Sequence, residues 1–340
     1  MYNKHMKPVE LPPKDFESFV GKQACDNFLQ SKEMFNRYQT TGREAHLVGL
    51  KNSKGGIVLA ALIVKIGSMR GQALFSAPGG PILDYSAPGA QKLLEDFLIL
   101  IKPFLKKHHG FTLQISPNVA VKDGKTPPKL KGAKYLGEYT QCKWISVLDL
   151  SNFSSPDELF KTFRKGHRYS IKYTDTRFHL ETRELSKDEL PILKSLAEKA
   201  AEKHNFHDQP IEYYESMFDA FVGKIKVLAT FDKDTPIAAA MFIYYGHEIV
   251  YLYSGADPAY NHLAGSYALQ WKMINFAFEN GFKRYNFYGV RPEPKNGVFE
   301  FKKGFRAEVE ELWGTYILPI SPLSRLYVAH KKYHKFGELS

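Results

Sequence analysis

Glu248-Ile249-Val250-Tyr251-Leu252-Tyr253 opens the stretch, Glu248 to Ile317, whose reading decides the fold. Its β-branched and aromatic residues predict a strand. A loop with Gly255 and Asp257-Pro258 follows, then a helix in which Tyr267, Trp271, Ile274 and Phe278 recur at helical spacing and Asn280-Gly281 supplies the stop. Arg284 to Tyr288 reads as a second strand, and Phe301-Lys302-Lys303-Gly304-Phe305 as a basic segment. Ala264-Gly265-Ser266 opens the helix with small residues, so an anion or a polarised carbonyl can approach its free N–H groups closely. A strand, a loop and a helix mouth in that order make a place for chemistry.

Outward from this stretch, Val227 to Phe231, Ile237 to Tyr245 and Glu248 to Tyr253 are three strands joined by tight turns. The pattern strand, strand, strand, helix, strand also occurs earlier. His46 to Leu50, Ile57 to Lys65 and Gln72 to Ser76 read as strands, Pro88 to Lys107 as one amphipathic helix, and Phe111 to Ile115 as the next strand. A helix is expected from Phe16 to Tyr38, and a Lys-rich connector from Val121 to Lys134. After a strand at Trp144 to Leu150, Ser155-Pro156-Asp157-Glu158 starts a helix with a cap, a first-turn proline and acids beside the dipole. A strand at Phe178 to Thr182 precedes a helix at Lys187 to His204, opened by the capping box Ser186 to Glu189. The fold class is α/β (α+β), with two similar units in tandem.

The chain of 340 residues is long enough for two domains with real cores, and 44% hydrophobic with 24% charged is ordinary globular composition. Cys25 and Cys142 cannot make a disulfide framework or a structural zinc site and are expected as reduced thiols. No apolar run reaches membrane-span length, and Met1 to Pro13 is not signal-like, so a cytoplasmic location is expected. A formal charge of +11 suits a polyanionic partner: RNA, a phosphorylated substrate or an anionic membrane surface.

Three groups of residues then carry a resemblance. His262-Leu263-Ala264-Gly265-Ser266-Tyr267-Ala268-Leu269-Gln270-Trp271, Arg284-Tyr285-Asn286-Phe287-Tyr288-Gly289-Val290 and Phe301-Lys302-Lys303-Gly304-Phe305 resemble the FemABX family of tRNA-dependent peptidoglycan aminoacyltransferases. The likeness extends in order to His46-Leu47-Val48-Gly49, Gly80-Pro81-Ile82-Leu83-Asp84-Tyr85, Ser146-Val147-Leu148-Asp149-Leu150 and Glu189-Leu190-Pro191-Ile192, nearly the whole chain. It implies two tandem acetyltransferase-like (GNAT-like) domains, 1–143 completed by 318–340, and 144–317. It also implies transfer of an amino acid from aminoacyl-tRNA to the stem peptide of a peptidoglycan precursor, either lipid II or UDP-MurNAc-pentapeptide.

An amine attacking an ester needs alignment, loss of a proton and stabilisation of an oxyanion, so no cofactor and no metal are expected. By the resemblance Lys302 is the catalytic-site lysine and Phe301 lies beside the adenosine end of the tRNA, with Lys303 adding charge. On composition alone Lys302 and Lys303 would be a solvated basic strand end. Gln209-Pro210-Ile211-Glu212-Tyr213 resembles the precursor-binding segment, with Tyr213 near the diphosphate, but Gln209 stands where the family has an arginine and brings neither charge nor fork. Tyr253 matches another family contact, and Arg37 lies near a family lysine. Ser116-Pro117 replaces an Asp-Pro of relatives, so no protein base is assigned there.

The long coiled-coil hairpin of larger relatives has no room between Glu212 and Thr230, which marks the compact FemX-like form. Its help in holding tRNA is expected instead from Lys161 to Lys172, a run with Arg164, Lys165 and Arg168 whose spacing would put several cations on one helical face. An ordinary solvated helix explains that run equally well. His108-His109 and His204 with His207 have no cysteine or carboxylate at metal-ligand spacing and read as surface or cap residues. Ser266 lacks a nucleophile elbow and reads as a helix-opening group. Leu323 to Phe336 mixes aromatic and basic residues without an acid, so peripheral contact with the inner face of an anionic membrane is expected. Two other functions fit the same fold: an acyl-CoA-dependent N-acetyltransferase, against which the single glycine between Leu263 and Tyr267 counts, and a non-catalytic RNA-binding or immunity-type protein.

Overall fold

A computed structural model describes residues 6–121, 125–138, 141–204 and 208–331. The chain divides into two units, one running to Lys143 and resuming at Glu311, the other from Trp144 to Glu310. The return to the first unit therefore comes before the expected 317/318. The reason is strand β14, Thr315–Pro319, which pairs with two strands of the first sheet.

The first unit contains β1 (Lys7–Glu10), α1 (Pro13–Val20), α2 (Lys32–Thr40), β2 (Ala45–Lys51), β3 (Ile57–Met69), β4 (Gln72–Gly79), α3 (Ala90–Leu100), α4 (Lys102–Lys107), β5 (Gly110–Pro117) and β6 (Lys134–Gly137). With β14 they form a seven-stranded sheet ordered β1-β2-β3-β4-β5-β14-β6, and α11 (Pro322–His330) closes the unit. The helix expected from Phe16 to Tyr38 is two helices separated by a loop and a short 3-10 turn, Phe28–Gln30. Ser31 restarts it: its side chain accepts from Met34 N at 3.1 Å. The helix expected over 88–107 breaks at Ile101, because Pro103 has no N–H to continue the ladder and begins α4 instead. Leu94, Phe97, Leu98, Ile101 and Leu105 still bury one face against Phe75, Leu113 and Ile115.

The second unit contains β7 (Trp144–Asp149), α5 (Pro156–Thr162), α6 (Lys165–Thr176), β8 (Glu181–Glu184), α7 (Leu190–His204), α8 (Ile211–Ala220), β9 (Ile225–Asp232), β10 (Thr235–Tyr245), β11 (Glu248–Ala256), α9 (Gly265–Glu279), β12 (Arg284–Gly289), α10 (Gly297–Gly304) and β13 (Glu308–Glu311). Its sheet order is β13-β7-β12-β11-β10-β9-β8. Ser155 caps α5 by accepting from Glu158 N at 3.2 Å, and Glu189 accepts from Ser186 N at 2.9 Å before α7. The strand expected at Phe178 starts at Glu181, since α6 runs on to Thr176 and the chain reverses through His179 at positive φ.

Helix α9 is apolar on more than the face its periodicity marks. Leu269, Met273, Ile274 and Ala277 are buried toward the sheet, while Tyr267 and Trp271 are half-buried. Phe160 of α5 lies 5.1 Å from the Trp271 ring, so a second layer of helices covers that side. Helix α7 crosses β11 so closely that a Cβ at Gly255 would lie 2.1 Å from Leu196 C and 2.3 Å from Ala197 N. Only glycine permits that approach.

Candidate functional site

Strands β11 and β12 are parallel, but they stay paired only from Glu248 and Arg284 to Val250 and Asn286. A bulge helps part them: on the β10 side Met241 faces Tyr253 while the next residue, Phe242, faces Tyr251, which leaves Leu252 over. Past that point the strands diverge, and a cavity of about 650 Å³ opens among Tyr251, Gly255, Gly265, Tyr288, Phe301 and Lys302. In the first unit the parallel pair β4 and β5 stays paired in register from Leu74 and Thr112 to Gly79 and Pro117, so the corresponding gap is closed.

The start of α9 forms one wall of this cavity. Ala264, in the left-handed conformation, turns the chain, and Gly265 packs where a Cβ would come within 3.2 Å of Ala238 Cβ. Opposite it stands α10, capped by Asn296, whose side chain accepts from Phe299 N at 3.1 Å. The segment with Phe301 to Phe305 is thus mostly helix, not a solvated strand end. Lys302 is buried, at 5% exposure, and its Nζ donates to the Gly289 carbonyl at the end of β12, 2.5 Å away. Lys303, one residue on, is exposed with its ammonium 5.3 Å from the Phe299 ring centroid.

Phe301 is fixed from below. His167 of α6 contacts the Phe301 carbonyl through Nε2 at 2.8 Å, and its ring packs edge-on against Tyr267 and Phe305. Burial lowers the His167 pKa against the opposing pull of that carbonyl, with Arg164 lowering it further. A neutral ring donating from Nε2 to a carbonyl follows. Gly304 makes room for it: a Cβ there would lie 1.9 Å from the imidazole. Sequence reasoning passed over His167, whose signal is only a histidine inside a basic run.

That run is not one helix. Phe163 and Arg164 are extended, so Lys161 lies in the last turn of α5 while Lys165, Arg168 and Lys172 sit on α6. Arg164 pairs with Glu300 at 2.6 Å, and Arg168 donates to the carbonyls of Lys161 and Phe163, closing the end of α5. These two arginines are spent on internal contacts, which corrects the expected continuous stripe. Lys165, beside the Tyr169 ring, Lys161 and Lys172 are exposed.

Tyr253 and Tyr213 come together, Tyr253 donating to the Tyr213 hydroxyl at 3.0 Å. Burial, then the neighbouring Tyr213, raises the Tyr253 pKa far above its usual range, so it stays a phenol. Gln209 follows Asp208, which binds Lys194 at 2.7 Å and Tyr214 at 2.5 Å. A cation therefore lies beside Gln209, but two carboxylates, Asp208 and Glu198, already claim it. Arg37 lies in the first unit and is buried, at 6% exposure, so it presents little surface to a ligand. Ser116 is buried with its hydroxyl 2.9 Å from Thr315 Oγ1. Burial pushes the Cys25 thiol up to about 11, which leaves it unreactive near neutrality. The expectation for His108 needs correction, because Glu44, remote in sequence, lies 3.2 Å from its Nδ1. His207 and the side chain of His204 lie outside the described residues.

Two units with the same order of antiparallel strands, helix and parallel strand, one of them splayed open around a lysine, define a tandem GNAT-like fold. The sequence model of the FemAB family matches residues 11–132, 129–232 and 225–334. The chain belongs to the FemAB family. Aminoacyltransferase FemA of Staphylococcus epidermidis is 27% identical over 424 residues, covering 97% of this chain and all of that protein. FemA of Staphylococcus aureus (strain bovine RF122 / ET3-1) is 27% identical over 422 residues, covering 96% of this chain and 99% of that one. Both alignments are longer than this chain of 340 residues, so the relatives carry insertions. Among solved structures, FemX superposes with a TM-score of 0.79 at 16% identity, covering 95% of this chain and 100% of that one. A tandem GNAT protein from the clavulanic acid biosynthesis pathway gives 0.58 at 11% identity, covering 93% and 99%.

Proposed function

We propose that this protein is an aminoacyltransferase that moves an amino acid from aminoacyl-tRNA to the stem peptide of a peptidoglycan precursor, building the interpeptide bridge. The acceptor amine attacks the ester carbonyl, a C–N bond forms, the C–O bond breaks, and the tRNA leaves as its free hydroxyl while the amine loses a proton. Catalysis needs positioning and a positive donor for the oxyanion. The observation that carries this reading is Lys302, an ammonium buried at the cavity between β11 and β12 and held there by Gly289.

Lys302 is assigned to the oxyanion, and Phe301, seated on His167 and Tyr267, to the terminal adenosine of the tRNA. Lys303 together with the exposed Lys161, Lys165 and Lys172 tracks phosphates; Arg164 and Arg168 act by holding α5, α6 and α10 together. Tyr213 and Tyr253 are assigned to the precursor, with Gln209 as a hydrogen-bonding neighbour. Neutral groups at Gln209, Tyr213 and Tyr253 leave the diphosphate without a bidentate cation there.

Against an acyl-CoA donor stands the loop before α9. Asp257 occupies it, paired with Lys199 at 2.5 Å and accepting from Ala259 N, and Pro258 has no N–H to offer. A pyrophosphate would meet a carboxylate where it needs donors.

The enzyme acts in the cytoplasm at the inner face of the membrane. Among the described residues no helix is long and apolar enough to cross a membrane. Helix α11 buries Ser324 and Val328, and Tyr327 packs against Phe111 at 5.5 Å. Its other side exposes Leu323 (56%), Arg325 and Leu326 (66%), apolar and basic together. Lys332, Tyr333, Lys335 and Phe336 lie outside the described residues.

The test is transfer of label from charged tRNA to lipid-linked and nucleotide-linked precursors in turn, with ribonuclease treatment as control. Ribonuclease-sensitive growth of the stem peptide by one amino acid is expected. Tight tRNA binding with no transfer to either acceptor would favour the RNA-binding reading.

A further inference from the structure

Within the first unit lies a group of side chains that the transfer chemistry does not use. Glu44 directly precedes β2, His46 lies on β2, and His108 ends α4. Glu44 Oε1 is 3.1 Å from His46 Nε2 and 3.2 Å from His108 Nδ1. One ligand atom from each of the three residues falls within 4.8 Å of the others. A four-coordinate zinc-class ion with bonds of about 2.0–2.2 Å needs ligand atoms roughly 3.4 Å apart. Two of the three edges already lie close to that value.

Both ring nitrogens of His46 face carboxylates. Its Nδ1 faces Glu10 Oε1 at 2.9 Å while its Nε2 faces Glu44 Oε1. A neutral imidazole carries one N–H, so one of these nitrogens meets a carboxylate oxygen with no proton between them unless a second proton or a metal ion sits there. A carboxylate on the outer nitrogen is the arrangement that fixes a metal-bound histidine in its tautomer. The rings are held in place: His46 packs edge-on against Phe104 at 5.3 Å, and Phe104 lies 4.8 Å from His108. Lys65 is the opposing charge, 3.9 Å from Glu44 Oε2, the oxygen that does not face the histidines. The charged groups in contact with the cluster are thus Glu10, which faces His46, and Lys65, which faces Glu44.

We propose that Glu44, His46 and His108 form a binding site for a divalent first-row cation of the zinc class, completed by water, that clips the start of β2 to the end of α4. Imidazole and carboxylate suit zinc, cobalt and nickel better than magnesium or calcium. The site lies wholly within the first unit, so the proposal stands apart from the assignment of Lys302.

The experiment uses the full chain without a histidine tag, stripped with chelator and titrated with Co²⁺ while the visible d–d bands are followed, then with Zn²⁺ in competition and in a melting assay. Saturation at one equivalent, displacement of Co²⁺ by Zn²⁺ and a Zn²⁺-dependent rise in Tm are expected. His108→Gln should weaken binding about 100-fold or more, and Glu10→Gln about tenfold, the loss typical of an outer carboxylate. His109→Asn, which keeps a residue tolerant of the positive φ there, should bind like the parent. Absence of both the bands and the Tm rise in the parent overturns the proposal, whatever the variants do. So does a His108→Gln protein that folds and binds undiminished, or a His109→Asn protein as weak as His108→Gln.

Discussion

Replacing Lys302 by Met removes one ammonium and leaves a side chain of similar length in the same buried channel. Two quantities then separate. An oxyanion donor contributes about 10²–10³ in kcat, or about 2.7–4 kcal/mol of transition-state stabilisation. On the stability side, the Gly289 carbonyl loses a donor at 2.5 Å, which costs about 1–3 kcal/mol for a buried acceptor left unmet. Taking a charge out of the interior offsets part of that. Against about 5–15 kcal/mol of total stability the variant stays folded. The assay is single-turnover transfer from charged tRNA at saturating precursor, beside a thermal melt and a precursor-binding isotherm. The expected result is a rate lower by about 10²–10³ with precursor affinity unchanged. A folded Lys302→Met protein that transfers at the parent rate would refute the role given to Lys302.

Gly255→Ala should destabilise the second unit by about 3 kcal/mol or more, since the new methyl meets the backbone of Leu196 and Ala197 rather than a movable side chain; chemical denaturation measures it. Changing Lys161, Lys165 and Lys172 together to Gln should leave the melt unchanged and flatten the log–log salt dependence of tRNA binding by about 2–3, at roughly 0.7–0.9 per phosphate released. Equal slopes would mean the lysines are merely solvated. Leu323→Ser with Leu326→Ser should abolish co-sedimentation with anionic vesicles at physiological salt without lowering Tm, because both side chains point away from the first unit's core. A parent protein that stays in the supernatant would remove the membrane contact and favour a nucleotide-linked acceptor.

The strands of both meanders were legible because their apolar residues come in short runs punctuated by turns such as Asp232-Lys233-Asp234. Strand β14 was not, since Thr315–Pro319 joins a sheet whose other strands lie far back in the chain, and pairing of that kind leaves no local mark. Breaks at Ile101 and Phe163 were smoothed over by continuous amphipathic spacing. For the site, the spacing of Phe301 and Lys302 was visible but their setting was not. That His167 supports Phe301 and that Gly304 admits the imidazole depend on contacts more than a hundred residues apart. The arginines at 164 and 168 illustrate the reverse: a cation run in sequence shows charge, not which cations Glu300 and the α5 carbonyls have already taken. Glu44 and His108 meet only because β2 and the end of α4 are neighbours in space.

The acyl donor is identified directly by one measurement: the same protein, offered the same precursor, with aminoacyl-tRNA in one reaction and acetyl-CoA in the other, and mass analysis of the stem peptide in both. The mass of one amino acid is expected from charged tRNA and none from acetyl-CoA, with the gain lost in Lys302→Met. An acetyl group added from acetyl-CoA, with nothing added from charged tRNA, would contradict that expectation.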